Sequence, residues 1–211
     1  IYNFNKAIEI NSKYLNAYNN RGVSFMALGK YEEAIKDFDK VLEIDPEYSI
    51  GYFNRGLSLS NLEKYEEAIK DFDIAIKLGP EEPDYFYNRG LSLNNLEKYE
   101  EAIKDFDIAM KLGPENPAYL NGRGTSLDLL GKHEEAIKDF DIAIKLDPEQ
   151  PYYFFNRGTS LNTLEKYKEA IKDFDVAIKL DPEDPDYFHN RGNSLDALGK
   201  YEEAIKDYDV A

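Results

Sequence analysis

Residues 65–73 read Tyr65-Glu66-Glu67-Ala68-Ile69-Lys70-Asp71-Phe72-Asp73, and this stretch decides the fold. Its apolar members are Tyr65, Ala68, Ile69 and Phe72, continued by Ala75, Ile76 and Leu78. That three-and-four spacing is one face of an α-helix. Gly79-Pro80 follows, and proline cannot continue a helix, so a helix is expected to end there. Ten residues upstream of Tyr65 lies Arg55, in the dipeptide Arg55-Gly56. Arg-Gly recurs with its glycine at Gly22, Gly56, Gly90, Gly124, Gly158 and Gly192, every step being 34 residues. Internal periodicity of this length marks a repeat architecture. With that glycine at position 8, whole repeats cover 15–48, 49–82, 83–116, 117–150 and 151–184. A partial repeat (second helix only) precedes them at 1–14, and a truncated sixth follows at 185–211.

Each repeat reads as two helices. The first covers positions 1–14, opened in four repeats by Pro83, Pro117, Pro151 or Pro185, where a missing N–H is tolerated. Asn116 and Asp184 precede two of these prolines and are good N-cap residues. A break follows at positions 15–16, as in Gly29-Lys30 or Glu63-Lys64. Apolar positions in the first helix of the second repeat are Tyr52, Gly56, Leu59 and Leu62. The combined stripe is too wide for one partner helix, so hairpins must stack on neighbours without a closed globular core. No strand-like alternation occurs, and the expected fold class is all-α, an α-solenoid of antiparallel helical hairpins.

The residues Tyr52, Gly56, Leu59, Ala68, Phe72 and Pro80 match aromatic-x2-Leu-Gly-x2-aromatic…Ala-x3-Phe…Pro, so the chain resembles the tetratricopeptide repeat. Ala34, Ala68, Ala102, Ala136, Ala170 and Ala204 hold its small site. Phe38, Phe72, Phe106, Phe140, Phe174 and Tyr208 hold its next aromatic one. The resemblance covers essentially the whole chain and implies a right-handed superhelix. One departure is consistent: Arg stands at position 7 where the family usually has Leu.

Those six arginines, Arg21, Arg55, Arg89, Arg123, Arg157 and Arg191, fall within the apolar arc of the first helix on a helical wheel. Asp37, Asp71, Asp105, Asp139, Asp173 and Asp207, at position 23, fall within that of the second. An unpaired buried guanidinium is costly, so an Arg–Asp pair is expected in each repeat. The family analogy places first-helix positions 2, 5, 6, 9, 12 and 13 in a concave groove, and the wheel places them in the solvent arc. No Lys or Arg occurs at any of them; the charges are Asp84, Asp128, Asp186 and Asp196. Position 6 gives a row of amides, Asn20, Asn54, Asn88, Asn156 and Asn190, broken by Gly122. Position 5 adds Phe53, Tyr87, Phe155 and His189. An amide offers both a donor and an acceptor, so such a row can hold peptide main chain, with the aromatics as anchors. Asn as simple polar filler, or as one residue copied by duplication, is the plainer alternative. Phe53, Tyr87 and Phe155 could equally pack on a neighbouring helix.

The expected function is a non-enzymatic scaffold that binds an extended peptide or partner segment, neutral or basic in preference to acidic. End-to-end self-association through apolar terminal helices, including Phe4, Ala7, Ile8 and Ile10, is the alternative. Family members that bind chaperone tails clamp a C-terminal carboxylate with groove Lys and Arg, and those charges are missing here. The formal net charge is −16, from 26 basic and 42 acidic residues, which disfavours nucleic acid. There is no cysteine, no apolar run long enough for a membrane span and no signal peptide at Ile1-Tyr2-Asn3-Phe4. These absences do not fix the compartment; a cytoplasmic location is favoured. The chain lacks an initiator Met, which leaves open whether it is a piece of a longer protein. No cofactor or metal is expected. His189 with Asp186 and Asn193 supplies too few ligands, and Asp71-Phe72-Asp73 lacks the glycine and terminal Glu of a calcium loop. His133, where other repeats have Tyr, is expected to pack.

Overall fold

The computed structural model describes all residues, Ile1–Ala211, as thirteen α-helices without strands. They fall into two compact units, 1–112 and 113–211. The first holds α1 (Tyr2–Ile10), α2 (Leu15–Ala27), α3 (Tyr31–Ile44), α4 (Ser49–Asn61), α5 (Tyr65–Leu78), α6 (Pro83–Asn95) and α7 (Tyr99–Leu112). The second holds α8 (Pro117–Leu129), α9 (His133–Leu146), α10 (Pro151–Thr163), α11 (Tyr167–Leu180), α12 (Pro185–Ala197) and α13 (Tyr201–Tyr208).

Local chemistry sets the ends of these helices. Pro83 opens α6, and the Asn116 and Asp184 side chains accept the N–H groups of Ala118 and Asp186 at 3.0 Å. At the far end Asp45 closes α3, and its carboxylate accepts the Glu47 N–H at 3.0 Å, tightening the turn into the next hairpin. Within each hairpin, one residue of the connection adopts positive φ: Gly29, Gly131 and Gly199, but also Glu63, Glu97 and Glu165 near +60°. Glycine takes that conformation freely, whereas glutamate is strained there.

Packing follows the apolar stripe. In α5, Ala68, Phe72 and Ala75 are fully buried, and a Cβ on Gly56 of α4 would sit 2.7 Å from the Phe72 ring. The missing side chain is what lets the two helices of a hairpin approach. Within each unit a second helix then packs on the first helix of the next hairpin, α3 on α4 and α5 on α6 in one, α9 on α10 and α11 on α12 in the other. First helices also touch one another, α2 with α4 and α4 with α6, α8 with α10 and α10 with α12. Each unit therefore presents a continuous face made of first helices.

Two details differ from the wheel. Position 3 belongs to the core as well: Tyr85, Tyr119, Tyr153 and Tyr187 are buried, because the next hairpin's first helix turns that residue toward the helix before it. In α1, Phe4, Ala7 and Ile8 are half-buried rather than exposed, since α1 packs on α2; Ile10 remains 87% exposed.

Candidate functional site

Charge is organised first. Arg55 donates from Nε and Nη2 to the two oxygens of Asp71, both at 2.7 Å, across its own hairpin. The same fork joins Arg21 to Asp37, Arg89 to Asp105, Arg123 to Asp139, Arg157 to Asp173 and Arg191 to Asp207. The carboxylates are buried, about 5% exposed, and the hydrogen bond that Arg55 donates to Asp71 drives its guanidinium further up from its ordinary range. Burial pushes the Asp105 carboxyl up, against the pull of Arg89.

A third contact carries five of the arginines beyond their own hairpins. Nη1 of Arg55 donates to Asp39 of the preceding one at 2.6 Å, with Arg157–Asp141 and Arg191–Asp175 alike at 2.6 Å and Arg89–Asp73 at 2.5 Å. For Arg21 the acceptor is Asn5, at 2.8 Å. The position-25 aspartates were read in the sequence only as the second Asp of the Asp-x-Asp motif and not as arginine partners, although Asp recurs there as regularly as at position 23. The guanidinium carbons also lie 5.5–5.9 Å from a position-4 ring, Tyr18, Tyr52, Phe86, Phe154 or Phe188. These five pairs thus work as clips between stacked hairpins, and all six guanidinium groups are engaged by an aspartate.

The first-helix face is less open than a simple amide row. Asn54 is buried and donates to Asn19 of the preceding hairpin at 3.1 Å; Asn156 likewise donates to Asn121 at 2.9 Å. Asn88 and Asn190 donate instead to carbonyls of their own helices, Asp84 and Asp186, at 2.8 and 2.9 Å. Asn20 is exposed. The amides therefore divide into two that lock neighbouring hairpins and others that stay accessible.

The aromatics divide in the same way. Phe53 is half-buried, its ring centroid 6.0 Å from Phe72 and 4.8 Å from Tyr85 of the next hairpin; Phe155 sits similarly between Phe174 and Tyr187. Tyr87 lies 5.9 Å from Phe106, and His189 lies 5.8 Å from Tyr208. One edge of each ring is committed to packing. Position 12 also bridges hairpins, through Ser60 with Ser92, Asn162 with Ser194 and Asp128 with Ser160. Asp128 also meets the Nδ1 of His133 at 2.7 Å, so this histidine has a polar partner and is more than a filler.

Between α4 and α6 the face opens into a hollow of ≈ 230 Å³, lined by Leu57, Ser60, Asn61, Tyr65, Asn88, Leu91, Ser92 and Asn95. Its lining carries no ionised group. No group of three or more His, Asp or Glu in the structure is arranged to hold a metal, and no helix is long and apolar enough to cross a membrane.

This architecture matches models of the tetratricopeptide repeat over residues 15–48, 53–117, 95–151, 122–185 and 174–206. The chain belongs to the tetratricopeptide repeat family, whose members generally mediate protein–protein interaction. Among solved structures it is similar to YrrB, described as a tetratricopeptide repeat protein with an unusual peptide-binding site. The two share 28% identity over 88% of this chain and 96% of that one, with a TM-score of 0.69. MamA (41-end) of Desulfovibrio magneticus RS-1 is 23% identical over 80% of this chain and 95% of that one, at TM-score 0.73. PilW, a type IV pilus biogenesis factor, is 18% identical over 92% and 90%, at TM-score 0.86. The latter two likenesses are of fold alone. A search of curated proteins finds no match.

Proposed function

We propose that the chain is an interaction scaffold whose first-helix face receives an extended peptide or partner segment, neutral or basic rather than acidic. The observation that carries this reading is the distribution of charge. All six arginines are clipped to aspartates, and the first-helix face has no Lys or Arg at its outward positions. What that face offers is amides, hydroxyls and partly packed aromatics, which suit a main chain better than a carboxylate. The likeness to YrrB, described as having an unusual peptide-binding site, adds support.

The experiment is a peptide array probed with the chain, followed by Asn88→Ala and Tyr87→Ala. Neutral or basic peptides should be selected, and both changes should weaken them. Selection of acidic peptides, or indifference to both changes together with loss on altering a second-helix surface residue such as Lys70, would refute the assignment.

A second reading has its own observation. Tyr201, Ile205 and Val210 on and after α13 are 57–62% exposed, an apolar surface suited to stacking between copies. Molecular mass across a concentration series separates the two. Constant monomer mass leaves the first-helix face as the interacting surface, and growth in mass that Ile205→Lys abolishes assigns a role to α13.

A further inference from the structure

The hollow between α4 and α6 carries a more specific statement than the face around it. Asn61, Asn88 and Asn95 each donate one amide N–H to the carbonyl four residues earlier, those of Leu57, Asp84 and Leu91, at 2.8, 2.8 and 2.9 Å. No other hydrogen bond engages the Oδ1 or the second N–H of these three amides. Three amides with open donor and acceptor capacity surround one cavity, whose floor is Leu57 and Leu91, both half-buried against the cores beneath them. The corresponding floor in the second unit is Thr125, Thr159 and Asn193, and both threonine hydroxyls donate to carbonyls of their own helices. There position 13 is Leu129, Thr163 or Ala197, so neither the apolar floor nor the amide trio is reproduced.

We propose that this hollow is a subsite for one aliphatic side chain (Leu, Ile or Val) of an extended, uncharged segment, with Asn61, Asn88 and Asn95 holding the main chain on either side. The inference rests on the scaffold reading above and names the chemistry of its ligand. A charged side chain entering the hollow would lose hydration with no counter-charge among the lining groups. At ≈ 230 Å³ the cavity is smaller than a typical small-molecule pocket, about 300 Å³ or more, but accommodates a side chain. The amides supply direction and the leucines supply apolar area, the division of labour expected of extended-peptide recognition.

The test uses the full chain and an immobilised library of nine-residue peptides with each position fixed in turn. Wild type should enrich Leu, Ile or Val at one position, without charge on either side. The best peptide and its alanine counterpart are then titrated against Leu57→Thr/Leu91→Thr. Thr already occupies this position at Thr125 and Thr159, so the fold tolerates it. The aliphatic peptide should bind about tenfold more weakly to the double variant, while the alanine counterpart is unchanged. Asn88→Ala should weaken both peptides alike. If the enriched residue is charged, or the double variant binds the aliphatic peptide as wild type does, the subsite is wrong while binding along the face stands. If Asn88→Ala changes neither peptide, its amide does not hold the main chain and the subsite is wrong; if no peptide is retained, or Asn88→Ala and Tyr87→Ala are both without effect while a change at Lys70 abolishes binding, the scaffold reading fails and the subsite with it.

Discussion

At Arg89 three restraints converge on one guanidinium: a fork to buried Asp105, a bond to half-exposed Asp73 of the preceding hairpin, and the face of Phe86. Removing it strands the Asp105 carboxylate, which burial already pushes up. Arg89→Ala should therefore cost roughly 1–4 kcal/mol in urea unfolding at neutral pH. The sign of its pH dependence follows. With Asp105 raised above its unfolded value, the penalty is absent below about pH 4 and grows as pH rises through the folded value. The difference from wild type should thus shrink on acidification, and a difference constant from pH 7 to pH 4 would contradict the pairing. Arg89→Lys should recover only part of the loss, because an ammonium cannot form the fork. The Arg55–Asp71 partnership was legible because both residues fall inside apolar arcs of their own helices. Asp39 escaped because its partner lies in another hairpin, which a one-helix wheel does not represent. Asn54 escaped for the same reason: the wheel turns it to solvent, and Asn19 of the neighbouring hairpin covers it.

Gly56 makes a second case at this scale. Alanine favours helix over glycine by about 1 kcal/mol, yet a Cβ here would press the fully buried Phe72 ring at 2.7 Å. Overpacking of about 1–3 kcal/mol outweighs the propensity gain, so Gly56→Ala should lower the melting temperature. A rise would mean that the ring has room to move.

Among whole helices, most of the architecture was readable from caps, prolines and stripes. Pro83 and Asn116 mark starts by removing or satisfying an N–H, while Pro46 and Pro80 mark ends. Tyr85 and Tyr187 were harder to place, because their burial depends on the hairpin before them rather than on their own helix's stripe. The turns inside the hairpins offer the clearest gain in stability. Glu63, Glu97 and Glu165 hold φ near +60°, where Gly29, Gly131 and Gly199 sit in the sister turns. Replacing each Glu by Gly should stabilise by about 0.5–1 kcal/mol, read as additive shifts in thermal midpoint. A fall in midpoint would show that the glutamate side chain contributes more than its backbone strain removes.

For the molecule as a whole, the net charge of −16 and the absence of basic groups on the outward first-helix positions point the same way. Acidic C-terminal peptides of the kind clamped by chaperone-binding relatives should show no micromolar affinity in calorimetry, and such binding would overturn the charge argument. Neutral and basic segments should bind with modest salt dependence, since amide contacts are little screened. The most direct measurement is the backbone amide shift map of the chain titrated with its best array-selected peptide. The account predicts that perturbations gather on α4 and α6, around Leu57, Asn61, Asn88 and Asn95. Perturbations confined to the outward residues of the second helices, such as Glu66, Lys70 and Lys104, with α4 and α6 silent, would contradict it.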